Sequence, residues 1–230
     1  MTPKRTLGLM IAAAALASSA ALAAAATPER LRGIIASATA DSVTLNTSAD
    51  KPVTIALTND TTYLQVKKAG LDKVEKGSFI GTATKDVGGT QVALEVVIFP
   101  PSMRGTGEGH YGWDKIQDTT LSGGAQTSSS MTNGNVAAVS NSAATVNSTM
   151  TNGDVAASKA QGGVTHLVVT YKGGQQDVLV PPTTPIVTYM PGTKALVAKG
   201  KDVFIKAADS GSGLVAKMVA VGVDGVRPPM

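Results

Sequence analysis

Hydrophobic and polar residues alternate with a period of two in short runs along most of the chain, which predicts β-strands rather than helices. Turn-forming Gly, Pro, Asp and Asn residues separate the runs. In the first half the runs cover residues 31–38, 42–47, 53–57, 78–84 and 91–99. The connection over 59–76 is less regular, and residues 69–76 predict one or two helical turns. This pattern favours a small OB-like barrel, with an open five-stranded sheet or half-sandwich as the alternative.

The second half repeats features of the first half at a constant distance of 123 residues. Lys76-Gly77 corresponds to Lys199-Gly200, and Val96 corresponds to Val219. The later runs cover residues 164–171, 176–180, 186–189, 202–207 and 214–223. The matched order of turn and strand predicts a duplicated unit. The expected fold class is therefore all-β, with two small OB-like five-stranded barrel units preceded by a signal peptide.

A shorter repeat lies between the two predicted units. Residues 129–138 recur nineteen positions later as residues 148–157, with eight of ten positions identical. Each copy contains Asn-Gly, which is a strong signal for a type I′ hairpin turn. These dipeptides are Asn133-Gly134 and Asn152-Gly153. We expect the first strand of the second unit near 152–158. The upstream copy would then be an extra hairpin or an extended part of the seam, and the alternative is a disordered polar linker over 117–148.

The N-terminal residues have the three parts of an export signal. Lys4 and Arg5 precede an apolar run over 7–17, and small residues then offer cleavage sites after Ala23 or Ala26. A retained anchor is the alternative, but the run is mostly Ala, which partitions weakly into hydrocarbon. We therefore expect a periplasmic or secreted protein with no stable membrane span after cleavage.

These observations predict five segments. They are a signal peptide (1–26), a first OB-like unit (30–100), a Gly-rich loop and polar hairpin or linker (101–148), a second OB-like unit (149–225) and a tail (226–230).

Composition narrows the function classes. The chain has no Cys, which excludes thiol catalysis, Cys-ligated zinc and disulfides. The formal net charge is +4, and Lys4 and Arg5 supply part of it. Basic residues do not cluster, and aromatic residues make up only 3% of the chain, so we expect no nucleic-acid partner.

The stretch 104–114 concentrates reactive side chains among glycines. Gly107, Gly109 and Gly112 spell G-x-G-x-x-G, but Pro100 and Pro101 separate it from the preceding strand and no helical pattern follows. Both features argue against a dinucleotide-binding loop, which needs a strand before it and a helix after it.

The same stretch offers two kinds of binding site. Glu108, His110 and Asp114 could together hold a weakly bound divalent metal, although a second His or Cys is missing. The candidate ligand-binding residues are Arg104, Glu108, His110, Tyr111 and Trp113. The simpler interpretation is a loop whose aromatic residues pack onto a barrel while its charges face water.

A catalytic role has little support in the sequence. His110 and His166 are the only histidines, and His166 is expected on one side of a strand with Val164, Val168 and Thr170, opposite the side of Thr165 and Leu167. The chain has no G-x-S-x-G nucleophile motif, and nothing sets Glu108 and Asp114 at a catalytic distance. We expect a protein that is not an enzyme, with a hydrolase as a remote alternative.

Several segments carry a family resemblance: 97–114, 149–157, 171–174, 178–187 and 224–230. In them the chain resembles an uncharacterised family of exported proteobacterial proteins with OB-like domains of unknown function. The M-R-G-x-G-E-G-H-Y-x-W-D stretch is the most specific part, whereas the doubled M-T-N-G sequence departs from the pattern. Members often carry the label of a metal ABC transporter permease. The lack of long apolar segments contradicts that label here, and the family has no assigned catalytic residues.

Together these patterns predict a non-enzymatic binding or envelope-associated module of a Gram-negative bacterium, with no cofactor. Its expected partner is an envelope component, either a polysaccharide or a protein. The alternative is a periplasmic metal-handling accessory protein that uses the 104–114 loop.

Overall fold

The computed structural model describes residues 29–47, 51–121, 124–142 and 163–228. Within these residues the chain forms fifteen β-strands, and its helical segments are three 3₁₀ turns, over Leu71–Lys73, Pro101–Met103 and Lys194–Leu196. The strands are β1 (Glu29–Ala38), β2 (Ser42–Asn46), β3 (Val53–Ala56), β4 (Thr62–Lys68), β5 (Phe79–Val87), β6 (Thr90–Ile98), β7 (Gly109–Gly112), β8 (Ile116–Gln117), β9 (Gln126–Thr127), β10 (Ser130–Ser142), β11 (Val164–Tyr171), β12 (Gly174–Val180), β13 (Ile186–Pro191), β14 (Asp202–Asp209) and β15 (Leu214–Gly222). The predicted all-β class is confirmed.

Five strands from the two ends of the described chain form one closed set, which we call ring A. Its order is β14-β1-β2-β3-β15, and β15 returns to β14. These pairings are antiparallel except for the parallel contact of β15 with β3 at Val215 and Ala56. The core of ring A comes from inward-facing Ile, Val and Leu residues, including Ile35, Leu45 and Ile205.

Five strands from the middle of the chain form a second closed set, ring B. Its order is β5-β10-β11-β12-β6, and β6 returns to β5. Here too one pairing is parallel, between β12 and β6, with Val178 opposite Gln91. Ile80, Val96 and Leu167 are among the residues of its core.

Strands β4 and β13 connect the rings. They pair with each other antiparallel, β4 pairs parallel with β15 of ring A, and β13 pairs parallel with β6 of ring B. A third core cluster lies along this connection, where Phe99 contacts Phe79 and Tyr189 at ring-centroid distances of 5.5 and 5.7 Å. Burial and the negative charge of Glu95 raise the pKa of the Tyr189 hydroxyl.

The strands predicted for the segment 30–100 are shared between the two rings. β1, β2 and β3 belong to ring A, whereas β5 and β6 belong to ring B. The region predicted to be irregular contains β4, and its helical part is the short turn over Leu71–Lys73. The sequence showed where strands begin and end more clearly than which strands pair.

Elements separated by the offset of 123 residues have equivalent partners. β4, β5 and β6 correspond to β13, β14 and β15, and the turn Leu71–Lys73 corresponds to Lys194–Leu196. β5 pairs antiparallel with β6 as β14 does with β15, and β13 pairs parallel with β6 as β4 does with β15. The predicted origin of this pattern in a duplicated OB-like unit stays a prediction.

Of the two predictions for the upstream copy, the hairpin at Asn133-Gly134 is wrong and the extended segment is right, because both residues lie inside the continuous strand β10. A Cβ at Gly134 would lie 2.3 Å from the carbonyl oxygen of Thr170, so glycine permits β11 to approach β10 closely. The Asn133 amide donates to the carbonyls of Thr106 and Gly107.

The disordered alternative for 117–148 is also wrong for residues 130–142. The expected strand at 152–158 lies outside the described residues, and β10 pairs with β11.

No helix in the described residues is long and apolar enough to cross a membrane.

Candidate functional site

The 104–114 loop folds back onto ring B through the short strand β7. His110 and Tyr111 of β7 pair with Thr132 and Met131 of β10. Gly107 and Gly109 have φ of 59° and 143°, conformations that favour glycine. The G-x-G-x-x-G pattern follows a 3₁₀ turn and leads into a strand, so the helix that a dinucleotide-binding loop requires is not formed there.

Two arginines of β1 hold Asp114. Arg30 donates through Nε and Nη2 at 3.3 and 3.1 Å to Oδ1, and Arg32 donates through Nη1 at 2.8 Å to Oδ2. Burial raises the pKa of this carboxyl, but the hydrogen bonds and charges of the two arginines outweigh burial and hold the pKa below its usual range. The guanidinium of Arg30 also lies 3.9 Å from the ring centre of Trp113, which is a cation–π contact.

Glu108 and His110 contact other groups. Oε1 of Glu108 accepts a hydrogen bond from the backbone N–H of Lys172 at 3.0 Å. Nδ1 of His110 lies 2.8 Å from the Thr132 hydroxyl, and its ring stacks on Tyr171. The structure therefore does not bring Glu108, His110 and Asp114 together. No group of three or more His, Asp or Glu residues in the described part of the chain could hold a metal ion.

The remaining predicted ligand-binding residues dock the loop. Arg104 donates to the Asn135 side chain and to the Gly77 carbonyl. The Tyr111 hydroxyl donates to the Gly107 carbonyl at 3.1 Å, and burial raises its pKa, partly opposed by the charge of Arg30. Trp113 packs against the central core cluster. Trp113 matches the simpler sequence interpretation, in which the aromatic residues pack onto the fold and the charges face water. Tyr111 is exposed and Asp114 pairs with two arginines, so these two residues do not match it.

His166 lies on the outer side of β11, where it is exposed and opposite Ser140 of β10. Its neighbours Thr165 and Leu167 are buried on the other side of the strand. The expected division of this strand into two sides is confirmed, and it places the two histidines on different strands.

One cavity in the described residues was not predicted from the sequence. This large cleft has a volume of about 790 Å³ and lies between ring A, β8, β9, β13 and the segment 224–228. Buried apolar residues form much of its lining: Ile116, Ile186, Val187 and Val203. Cavities of this size with an apolar lining and a few polar groups are typical of ligand sites.

Charged groups of both signs surround the large cleft. Arg32, Lys68, Lys115, Glu95 and Asp224 line it, and Arg227 pairs with Asp202 at 3.4 Å. Lys68 and Lys115 are exposed and form no ion pair with another described residue. A ligand in this cleft would meet an apolar floor and charged groups on its rim.

A buried ion pair attaches one wall of the large cleft to ring B. Lys85 Nζ lies 2.7 Å from Oδ2 of Asp118, between β8 and β9, and the two side chains are 18% and 8% exposed. Hydrogen bonds from Lys85 and Thr120 hold the pKa of Asp118 below its usual range. The pair fixes β8 and β9, which supply Ile116, Gln117 and Gln126 to the cleft.

A second cavity, the small cleft, has a volume of about 430 Å³. Its lining is mostly apolar and comprises Thr62, Tyr63, Leu64, Pro100, Ser102, Met103, Pro191 and Met218. Except for Pro100, each of these residues has its counterpart in the lining of the large cleft at the offset of 123 residues. A comparison of the aligned halves could have singled out Lys68 and Glu95, whose counterparts are Pro191 and Met218.

No protein-family model, no curated protein and no solved structure matches this chain.

Proposed function

We propose that the protein is an exported, non-enzymatic binding module of the Gram-negative cell envelope, and that the large cleft is its ligand site. The single observation that carries the proposal is this cleft of about 790 Å³, with its apolar floor and charged rim. The export signal pattern of residues 1–26 and the family resemblance support the compartment.

The strand order of each ring supports an OB-like interpretation. In each ring three consecutive strands form an antiparallel meander, and a further antiparallel pair closes it through one parallel contact. A five-stranded Greek-key barrel of the OB type has such a closure, and these barrels commonly bind polysaccharides or other extended chains. This argument is an analogy of fold, so it supports a binding role without naming the ligand.

The surroundings of the reactive side chains support a role without catalysis. His110 and His166 lie on separate strands, and Asp114 is engaged by two arginines. The metal-handling alternative has no comparable support, because Glu108, His110 and Asp114 each contact a different partner.

Protein-detected NMR tests the site. The exported protein would be titrated with neutral oligosaccharides, acidic oligosaccharides and short peptides. We expect at least one probe to shift the amide signals of Gly33, Gln117, Gln126 and Gly225, which line the large cleft. The small-cleft residue Ser102 serves as the internal control. Shifts confined to the 104–112 loop, or to the small cleft, would show that the large cleft is not the site.

A further inference from the structure

Arg30 and Arg32 use different edges of their guanidinium groups. They are two positions apart on β1 and contact the same carboxylate, that of Asp114. Arg30 uses Nε and Nη2, whereas Arg32 uses only Nη1. The Nε and Nη2 atoms of Arg32 are buried and have no hydrogen-bond partner in the part of the chain that the structure describes.

The Nε–Nη2 edge presents two parallel N–H donors, the arrangement that binds a carboxylate with two hydrogen bonds. Buried donors without acceptors are rare in native proteins, because each loses its hydration without compensation. The Arg32 guanidinium is also held in place, since it lies 5.2 Å from the ring centre of Phe204 and is fixed by Asp114. Its free edge is therefore oriented in advance for an acceptor.

Arg32 is one of the residues that line the large cleft, and its Nε and Nη2 atoms are buried beside it. The rim adds Lys68 and Lys115, whose ammonium groups would favour the approach of an anion. Glu95 and Asp224 oppose this, so attraction by the rim alone does not select an acid. The two parallel N–H donors of Arg32 supply the specificity for an acid, because they match the planar geometry of a carboxylate.

We propose that the Nε–Nη2 edge of Arg32 binds a carboxylate of the ligand, which makes the ligand an acidic chain. We assign the carboxylate to a uronic acid of a polysaccharide, the class of ligand that an OB-like barrel favours, and binding of a peptide C-terminus instead is the other outcome of the test. This inference rests on the proposed role of the large cleft. Because both nitrogen atoms are buried, the groups that cover them must move aside on binding.

Calorimetry with matched probes tests the carboxylate. The probes are a galacturonic acid oligomer and its methyl ester, and a short peptide with a free or an amidated C-terminus. We expect one acid to bind the protein and its neutral partner to bind at least about tenfold more weakly, since a hydrogen bond to a charged group contributes roughly 1.5–3 kcal/mol. The acid that binds identifies the source.

Two variants and one direct signal assign the effect to Arg32. Arg32→Lys keeps the charge but lacks the paired donors, and it should weaken acid binding about tenfold without changing ester binding. Arg104→Lys is the matched control, because Arg104 is an exposed arginine outside the lining of the large cleft, and this variant should bind the acid as the unchanged protein does. The NMR signal of Arg32 Nε–H should shift with the acid and stay in place with the ester, a readout that needs no variant.

The outcomes separate this inference from the proposed function. If the acid and its ester bind equally and the NMR signals of the large cleft shift, the proposal that Arg32 binds a carboxylate is wrong. The large cleft would remain the ligand site. A fixed Arg32 Nε–H signal during acid binding would do the same, and would indicate that a buried water satisfies the donors. Binding of the acid outside the cleft would overturn both proposals.

Discussion

The large and the small cleft lie at equivalent positions of the two halves of the chain, yet their chemistry differs. Lys68 and Glu95 in the large cleft correspond to Pro191 and Met218 in the small one. The surrounding strands β4 and β13 have equivalent pairings in both places. One backbone arrangement thus carries a charged cleft on one side and a mostly apolar cleft on the other, so the side chains and not the strands set the chemistry of each cleft.

A second difference concerns where each half places its large aromatic residue. Gly81 and Phe99 in one half correspond to Phe204 and Gly222 in the other, so Phe and Gly have changed places. A Cβ at Gly81 would lie 2.9 Å from Cε2 of Phe99, whereas a Cβ at Gly222 would lie 1.7 Å from the carbonyl oxygen of Val226. At the large cleft, Gly222 leaves room for the backbone of the segment 224–228, which forms one wall of the cleft.

The largest expected effect comes from the ion pair that holds β8 and β9. Asp118→Ala leaves the Lys85 ammonium buried without its carboxylate, which should lower the free energy of unfolding by about 3–5 kcal/mol. The large cleft would lose a wall and become more similar to the small one, where the counterpart of Lys85 is Ala208. Urea unfolding measures the loss, and Lys85→Met combined with Asp118→Leu is the control that should recover most of it.

The same pair gives a pH dependence with a defined sign. The folded-state pKa of Asp118 is lowered, so its contribution is complete above the unfolded pKa of about 3.9 and is lost as the pH falls through the folded pKa. The unchanged protein should therefore lose more stability below about pH 4 than Asp118→Ala does. Parallel pH profiles of the two proteins would contradict this assignment.

An intermediate effect is expected at Gly222. Gly222→Ala forces the Val226 carbonyl away, and we expect a loss of about 1–3 kcal/mol in the free energy of unfolding, with shifted NMR signals over 223–228. Gly112→Ala is the matched control, since a Cβ there meets no atom within 4 Å. A Gly222→Ala protein as stable as the control would show that the wall of the large cleft does not depend on this close approach.

The smallest effect separates two arginines at equivalent positions. Arg227 pairs with Asp202 while 77% exposed, so Arg227→Ala should cost no more than about 0.5 kcal/mol. Arg104, its counterpart, binds the Gly77 carbonyl and the Asn135 side chain, and its loss should cost about 1 kcal/mol. Thermal unfolding at low and high salt distinguishes them, because only the Arg227 pair should weaken with salt.

The sequence predicted local strands well and their partners poorly. Alternation located β2, β3 and β11, but Thr62–Lys68 was missed because Tyr63 and two lysines break the simple apolar pattern. The pairing of β1 with β14 joins residues such as Glu29 and Ala207, which no local pattern connects. The local Asn-Gly signal at Asn133-Gly134 predicted a hairpin turn that does not form, because tertiary contacts with Thr106 and Thr170 decide the conformation there.

The candidate site shows the same limit. The sequence identified the 104–114 loop as unusual, but it could not show that Asp114 is held by Arg30 and Arg32, more than eighty positions earlier. The two arginines alternate on β1 and so share one side of the strand, which is the signal that could have been read. A cleft built from eight separate parts of the chain leaves no such local signal.

Ring A contains both ends of the described chain, and this arrangement has a mechanical consequence. Tension applied through the two ends enters at β1 and β15, which are both bonded to β14. The shortest path for this load crosses one strand, β14, and the pairing of β1 with β14 lies on it. Tension on the two ends would therefore act on the strand that holds Arg32 beside the large cleft.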